Sequence, residues 1–320
     1  MQPTRIGLVL GDPAGVGPEL IAKLLAHMGD AAASRFVVIG TEAALAEGAR
    51  VAGVTLPQVP LIAIAAEGLG PIRPGEATRE AGAFALSSLE AAVGAVQAGR
   101  IGAIVYAPLN KHAMKLAGFA EVDEMHYLAR LFGCTGFFTE LNQMDEVWTT
   151  RVTSHVPLRD VAALITEQRV LDATGLAIAA MQRAGIARPR VAVAGLNPHA
   201  GDGGTIGSED IEIIAPAIAR LRQLGHDVSG PVSPDTVFLG IRRGTLDLVV
   251  TMYHDQGQIA LKSLGFERVV TILGGLPVPA ITASSGSAYD IAGRNVASPE
   301  ALIRACGLAE RLATAAPMSA

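Results

Sequence analysis

Short apolar runs alternate with longer amphipathic stretches along the whole chain, and this alternation limits the fold more than any other feature. It predicts strands at Ile6–Leu10, Phe36–Gly40, Ile101–Ala107, Val147–Val152, Arg190–Gly195, Leu246–Met252 and Val269–Leu273. Helices are predicted at Pro18–Met28, Ala81–Ala98, Val170–Ala184, Asp210–Leu224 and Pro299–Ala313. Thr78–Glu80 and Ser298–Glu300 supply polar starts for two of them. Such alternation builds α/β layers around a largely parallel sheet. With 320 residues, 50% of them hydrophobic, there is enough core for about two domains or one large α/β unit. No repeat, low-complexity tract or linker marks a boundary, and residues 315–320 are expected to fray.

Composition removes several function classes. The net charge is −5 and no Lys/Arg run occurs, which argues against a nucleic-acid partner. Aromatic residues are only 4% of the chain while Gly numbers 36, which suits a tightly turned α/β enzyme better than an all-β binding module. Cys134 and Cys306 form no C-x-x-C motif and are expected to be core thiols, not a disulfide. The first residues lack the apolar stretch of a signal peptide, and no run approaches the ~18 apolar residues of a membrane span. The expectation is a cytoplasmic protein with no membrane partner.

Three histidines share one kind of place. His155 follows the run VWTTRV, His199 follows RVAVAGL in N-P-H-A-G, and His254 follows LDLVVTM in Y-H-D-Q-G. Each lies a few residues beyond the C-terminal end of a predicted strand, where open α/β sheets bind ligands. A single loop histidine is more often a hydrogen-bonded structural residue. Three so placed favour a divalent-metal site with positions open to substrate, Zn²⁺ first and Mg²⁺, Mn²⁺ or Co²⁺ as alternatives. Asp255, beside His254, could orient a ligand or complete the shell.

Two glycine-rich loops complete the pattern. Gly11-Asp12-Pro13-Ala14-Gly15-Val16-Gly17-Pro18-Glu19 follows the first strand and opens a helix, with Pro18 suited to a first helical turn. It is not G-x-G-x-x-G, so it is no Rossmann fingerprint. Gly286-Ser287-Ala288-Tyr289-Asp290-Ile291-Ala292-Gly293 precedes the last helix. Its small residues permit close approach of a flat or anionic ligand. Asp290 could accept from ribose hydroxyls and would repel a 2′-phosphate, favouring NAD over NADP; the plainer reading is a turn cap.

Together these stretches resemble the isocitrate/isopropylmalate dehydrogenase-like superfamily and, within it, the 4-hydroxythreonine-4-phosphate dehydrogenase family, PdxA. The resemblance also takes in APLNK at 107–111, SHVPLRDV at 154–161, GLNPHAGDGG at 195–204, SPDTVF at 233–238 and MYHDQG at 252–257. It implies two α/β domains with a cleft between them: residues 1–125 with 281–320 carrying the nucleotide loop, and 126–280 carrying the metal histidines and dimer contacts. It implies His155, His199 and His254 as metal ligands, and Gly286, Ser287, Ala288, Asp290 and Gly293 as the cofactor-binding set. It further implies Lys262, eight residues after His254, as a substrate-contacting and catalytic lysine, with Asp255 in the same motif. A homodimer with its active site at the interface is expected.

The chain departs from the family pattern around the substrate. Asp123-Glu124-Met125-His126 stands where the family carries Gly-His-Thr-Glu, and Thr271, Ala280 and Ser285 stand where it has Asn, Arg and His. Losing the Arg removes a bidentate anion clamp, and Glu124 would disfavour a nearby phosphate. The expectation is therefore a metal- and NAD-dependent dehydrogenase of a small hydroxy acid, with decarboxylation of the β-keto acid. Its substrate is expected to be unphosphorylated, such as the cis-dihydrodiol of terephthalate. The alternatives are a 4-hydroxythreonine-4-phosphate dehydrogenase of vitamin B6 synthesis and a non-catalytic metal- or nucleotide-binding protein.

Overall fold

The computed structural model describes residues 5–65, 70, 72–265 and 268–314. They form two compact units, one drawn from Met1–Thr135 and Leu276–Thr314, the other from Gly136–Gly275.

The first unit holds strands β1 (Ile6–Val9), β2 (Phe36–Gly40), β3 (Leu61–Ala63), β4 (Ala103–Tyr106) and, from the end of the chain, β11 (Ala280–Ala283). All run parallel, in the order β3-β2-β1-β4-β11. Every residue of β1, β2 and β4 is buried, as helices on both faces of a parallel sheet require. Helices α1 (Gly17–Met28), α2 (Glu42–Ala52), α3 (Arg79–Gln97), α4 (Lys111–Leu116) and α5 (Glu124–Phe132) belong to this unit. Thr78 caps α3 by accepting the amide of Ala81 at 3.1 Å, and Ser298 accepts that of Glu300 at 3.3 Å, so both predicted polar starts serve as such.

The second unit carries β5 (Thr139–Met144), β6 (Val147–Arg151), β7 (Val191–Ala194), β8 (Val228–Val232), β9 (Leu248–Thr251) and β10 (Val270–Gly274) in the order β10-β5-β6-β9-β7-β8. Strand β5 runs antiparallel to both its neighbours, while β6, β9, β7 and β8 are parallel. Its principal helices are α6 (Glu167–Arg183), α7 (Ala215–Gln223) and α8 (His254–Gly265), and the chain ends in α9 (Glu300–Thr314) of the first unit.

Three expectations need correction. The stretch 210–224 is helical but not regular throughout: Asp210–Ile214 forms a π-turn that runs directly into α7. Pro216 has no N–H to give to the carbonyl four residues back, so the regular ladder breaks there. Cys134 is half-buried just beyond the end of α5, and only Cys306 is a core thiol. The Y-H-D-Q-G segment is not a loop throughout, because α8 begins at His254 itself.

Candidate active site

In the first unit the strand order reverses between β1 and β4, leaving a crevice beyond their C-terminal ends. Three of the singled-out motifs meet at this edge, because β1, β4 and β11 are neighbours and each runs directly into one of them. Asp12 donates its amide to the Pro108 carbonyl at 3.0 Å, and Val16 donates to the Ser287 carbonyl at 3.0 Å. Asn110 caps α4 through Oδ1 and donates from Nδ2 to Ser287 Oγ at 3.3 Å. The Tyr289 hydroxyl donates to Asp12 Oδ2 at 2.5 Å, while Asp12 Oδ1 accepts the Ala14 amide. Burial nevertheless pushes the Asp12 carboxyl above its ordinary value, against these two bonds.

Glycine is required where these loops touch. Gly11 has φ +72°, and a Cβ there would lie 2.6 Å from the Ala107 carbonyl oxygen. A Cβ on Gly15 would lie 2.5 Å from the Ser287 carbonyl oxygen. Of the five residues expected to hold the nucleotide, Ser287 is buried by these contacts, Ala288 is half-buried, and Gly286, Asp290 and Gly293 are exposed. Gly293 also borders a largely apolar cavity of about 360 Å³, with Gly15, Pro18, Val51, Ile72 and Phe84 among its walls.

In the second unit β6, β9 and β7 are consecutive parallel strands, and the histidine segments leave their C-terminal ends. The Thr153 amide and hydroxyl both donate to the Met252 carbonyl, tying the His155 loop to that of His254. Gln256 accepts the Met252 amide and donates to the Gly195 carbonyl, tying the His254 segment to that of His199. His155 and His199 both have left-handed backbones, at φ 52° and 54°. The His199 turn is anchored by the buried Asp210, which accepts the amides of Leu196 (2.8 Å) and Asn197 (3.1 Å) and the Asn197 side chain (2.9 Å).

The His155 and His254 rings stand 5.6 Å apart between centroids, beside a cavity of about 260 Å³ shared with Thr153, Tyr253 and Asp255. His254 Nδ1 is 2.7 Å from Asp255 Oδ1, which leaves Nε2 available for a ligand. Burial holds His254 below its ordinary value, assisted by the charges of Arg151 and His155 and opposed by Asp255. A neutral ring with one nitrogen already engaged is the form in which imidazole binds a cation, so the donor set fits a metal. His199 stands on the adjoining loop, and the three histidines do not bring ring nitrogens all within 4.8 Å of one another among the described residues. Lys262 lies two turns further along α8, half-buried.

The positions of the altered cradle are placed as follows. Met125 and Ala280 are enclosed, 2% and 0% exposed. Glu124 begins α5, 3.6 Å from the Lys111 ammonium, which offsets its charge. Thr271 sits in β10 and accepts from Asn142 Nδ2 at 2.9 Å. The sequence reading missed a buried polar group beneath the histidines: Glu140, Asn142, Arg151 and Gln258. Its one sequence signal was an arginine closing a strand with no other charge.

Glycine-laced loops at a sheet's switch point, and histidines at three adjacent strand ends, define an α/β protein built to hold small ligands at its strand termini. The chain matches the family described as pyridoxal phosphate biosynthetic protein PdxA over residues 23–309, and it belongs to that family. The D-threonate 4-phosphate dehydrogenase of Salmonella typhimurium is 37% identical, over 98% of this chain and 100% of that protein. The structure of 4-hydroxythreonine-4-phosphate dehydrogenase from Klebsiella pneumoniae superimposes with TM-score 0.81 at 35% identity, covering 97% and 98% of the two chains. A terephthalate 1,2-cis-dihydrodiol dehydrogenase from Burkholderia xenovorans gives 0.70 at 29% identity, covering 96% and 98%. At 15% identity and TM-score 0.52, a β-decarboxylating dehydrogenase from Thermococcus kodakarensis shares the fold alone. The α/β fold is thus shared with the PdxA-family structures and with that β-decarboxylating dehydrogenase, and the named family relatives are dehydrogenases. Among the described residues no helix is long and apolar enough to cross a membrane.

Proposed function

We propose that this protein is an NAD-dependent, divalent-metal-dependent dehydrogenase that oxidises the secondary alcohol of a small hydroxy acid carrying a terminal phosphate. The observation that carries the reading is the placing of His155, His199 and His254 at the ends of three adjacent parallel strands. When bound, the cation supplies positive charge that acidifies a substrate hydroxyl, and NAD⁺ supplies the hydride acceptor. Asp255 holds the His254 tautomer, and the left-handed turns present His155 and His199. Exposed Asp290 accepts from ribose hydroxyls, and the apolar cavity bordering Gly293 accepts a flat ring. Lys262 serves as the proton-carrying or anion-binding group. Oxidation removes a hydride from carbon and a proton from the hydroxyl. Where a carboxylate lies β to the new carbonyl, its bond to the α-carbon breaks, CO₂ leaves, and that carbon takes up a proton. A second copy of the chain completing the site belongs to this reading, and Leu158, 70% exposed, borders the cavity beside His155 and His254 where it would pack.

This reading replaces the unphosphorylated substrate expected from sequence. Lys111 stands 3.6 Å from Glu124 and partly offsets the charge that counted against phosphate. Relatives with phosphate-ester substrates in their names support the same choice. The test is NADH formation by the Co²⁺-, Mn²⁺- or Zn²⁺-loaded protein with D-threonate 4-phosphate, 4-hydroxythreonine 4-phosphate and the terephthalate cis-dihydrodiol. Turnover confined to the dihydrodiol would restore the unphosphorylated reading. NAD binding without reduction of NAD⁺ by any of them would point to a non-catalytic role.

A further inference from the structure

Strand β5 carries Glu140 and Asn142 into the protein interior, and β6 ends at Arg151, which is 3% exposed. The Arg151 guanidinium uses three nitrogens on three partners. It pairs with the Glu140 carboxylate, donates from Nη1 to Asn142 Oδ1 at 2.9 Å, and donates from Nε to Ser154 Oγ at 2.9 Å. Asn142 Oδ1 also accepts from Gln258 Nε2 at 2.7 Å. Asn142 is the register partner of Thr271 across the β5–β10 ladder, and its Nδ2 bonds the Thr271 hydroxyl.

Each end of this network stops beside a histidine. Ser154 immediately precedes His155, and an oxygen of Glu140 lies within 4.8 Å of a His155 ring nitrogen. Gln258 lies one turn beyond His254 on α8, so the two share a helix face. A buried ion pair gives no more stability than apolar residues of the same volume. What it adds is direction: a planar guanidinium fixes carboxylate, amide and hydroxyl at set angles, where packed methyl groups would leave a loop free to slide.

We infer that Glu140, Asn142, Arg151 and Gln258 form a positioning network that sets the imidazoles of His155 and His254 from below. This rests on the proposed reading that those imidazoles hold a cation. Arg151 locks the His155 turn through Ser154 and Glu140, and Gln258 locks the first turn of α8. Asn142 joins the two and fixes Thr271 in the same step.

The test uses the whole chain with Glu140 and Arg151 replaced together, E140M/R151L, so that no unpaired charge stays buried. Three readouts are taken: thermal unfolding, Co²⁺ affinity with the visible spectrum of the bound ion, and ¹⁵N ring signals of His155 and His254 in metal-free protein. The expected result is a folded variant whose Co²⁺ affinity falls about 10- to 100-fold, with altered ring signals for His155. R151K, which keeps the charge and loses the fork, should recover only part of the affinity. A folded double variant with unchanged affinity and ring signals would overturn the inference. If the double variant does not fold, Gln258→Leu carries the decision: changed His254 signals support the network and unchanged signals refute it. A parent protein that binds no Co²⁺ would defeat the cation reading, while the metal-free ring signals still decide the network.

Discussion

Removing the Asp210 carboxylate should release the His199 turn, and the size of the effect can be worked from the structure. Three non-glycine residues there, His199, Ala200 and Asp202, have φ of 54°, 54° and 43°. Left-handed backbone costs such residues about 1–2 kcal/mol each, so the turn carries roughly 3–6 kcal/mol of strain. Asp210 is fully enclosed and accepts three hydrogen bonds, each worth about 1.5–3 kcal/mol because the acceptor is charged. The two sums are of the same size, which makes Asp210 the anchor that holds the turn. Leu196 and Asn197 are half-buried and can recover some hydration, so Asp210→Ala should cost about 3–4 kcal/mol, not the full sum. Asp210→Asn keeps one acceptor but turns a donor toward an amide, and should cost about 2 kcal/mol. The single tryptophan, Trp148, is buried in β6 of the same unit, so its fluorescence during urea unfolding reports this unit by itself. With a slope of about 1–3 kcal/mol per molar urea, the midpoint of Asp210→Ala should fall by at least roughly 1 M. Co²⁺ affinity should weaken in parallel if His199 is a ligand. An unfolding free energy within about 0.5 kcal/mol of the parent would refute the anchoring argument.

Gly15→Ala would drive a methyl to 2.5 Å from the Ser287 carbonyl oxygen and part the two loops, so NAD should bind about tenfold more weakly by fluorescence titration. Unchanged NAD affinity would separate these loops from cofactor binding. Burial raises the Asp12 carboxyl in the folded protein, so the native state binds its proton more tightly than the unfolded chain does. Stability should therefore fall as pH rises from near 3.8, the ordinary value, through the raised native one, and Asp12→Asn should remove that slope from unfolding curves followed by circular dichroism. A parent-minus-variant difference that is flat with pH would contradict it. Cys306 is enclosed and burial pushes its thiol far up, whereas Cys134 is only half-buried, so an aromatic disulfide reagent should titrate one thiol in the native protein and two in urea. Native labelling at Cys306 would show that α9 opens from its sheet.

The fold was legible where the sequence is most apolar. Strands such as Ile6–Val9 and Leu248–Thr251 are buried along their whole length, so they stand out as unbroken apolar runs. Four strands escaped, β3, β5, β8 and β11; of these β5, with the sequence Thr-Glu-Leu-Asn-Gln-Met, breaks both the apolar and the alternating pattern. Glu140 and Asn142 are buried there because they pair with Arg151, and pairing between distant residues leaves no periodic trace. Helix α8 escaped for a related reason, since its first turn, His254-Asp255-Gln256-Gly257, is polar and contains glycine. The histidine pattern survived because a parallel strand always ends at the same edge. That β6, β9 and β7 would be neighbours was not legible, because crossovers set strand order and spacing does not. Of the substrate positions counted by resemblance, Thr271 joins the polar network, while Met125 and Ala280 are buried.

The two units solve the problem of holding a ligand by different means, and the difference bears on how such a protein can change its substrate. In the first unit the loops at the strand ends are laced through backbone groups, with glycines admitting contacts that no side chain could enter. A site made of backbone resists alteration, since almost any substitution there collides with a carbonyl. In the second unit the corresponding edge is made of side chains: the His254 ring beside the Asp255 carboxylate, Gln258 bonded to Asn142, and a threonine held by Asn142. Such a site can be redrawn by exchanging a few buried residues while the strands and turns stay in place. On the proposed reading the cofactor end is the rigid one and the substrate end the adjustable one. The polar group at Glu140, Asn142, Arg151 and Gln258 is then the part of the second unit that such exchanges would reach, buried behind the histidine-bearing turns instead of on the exposed surface.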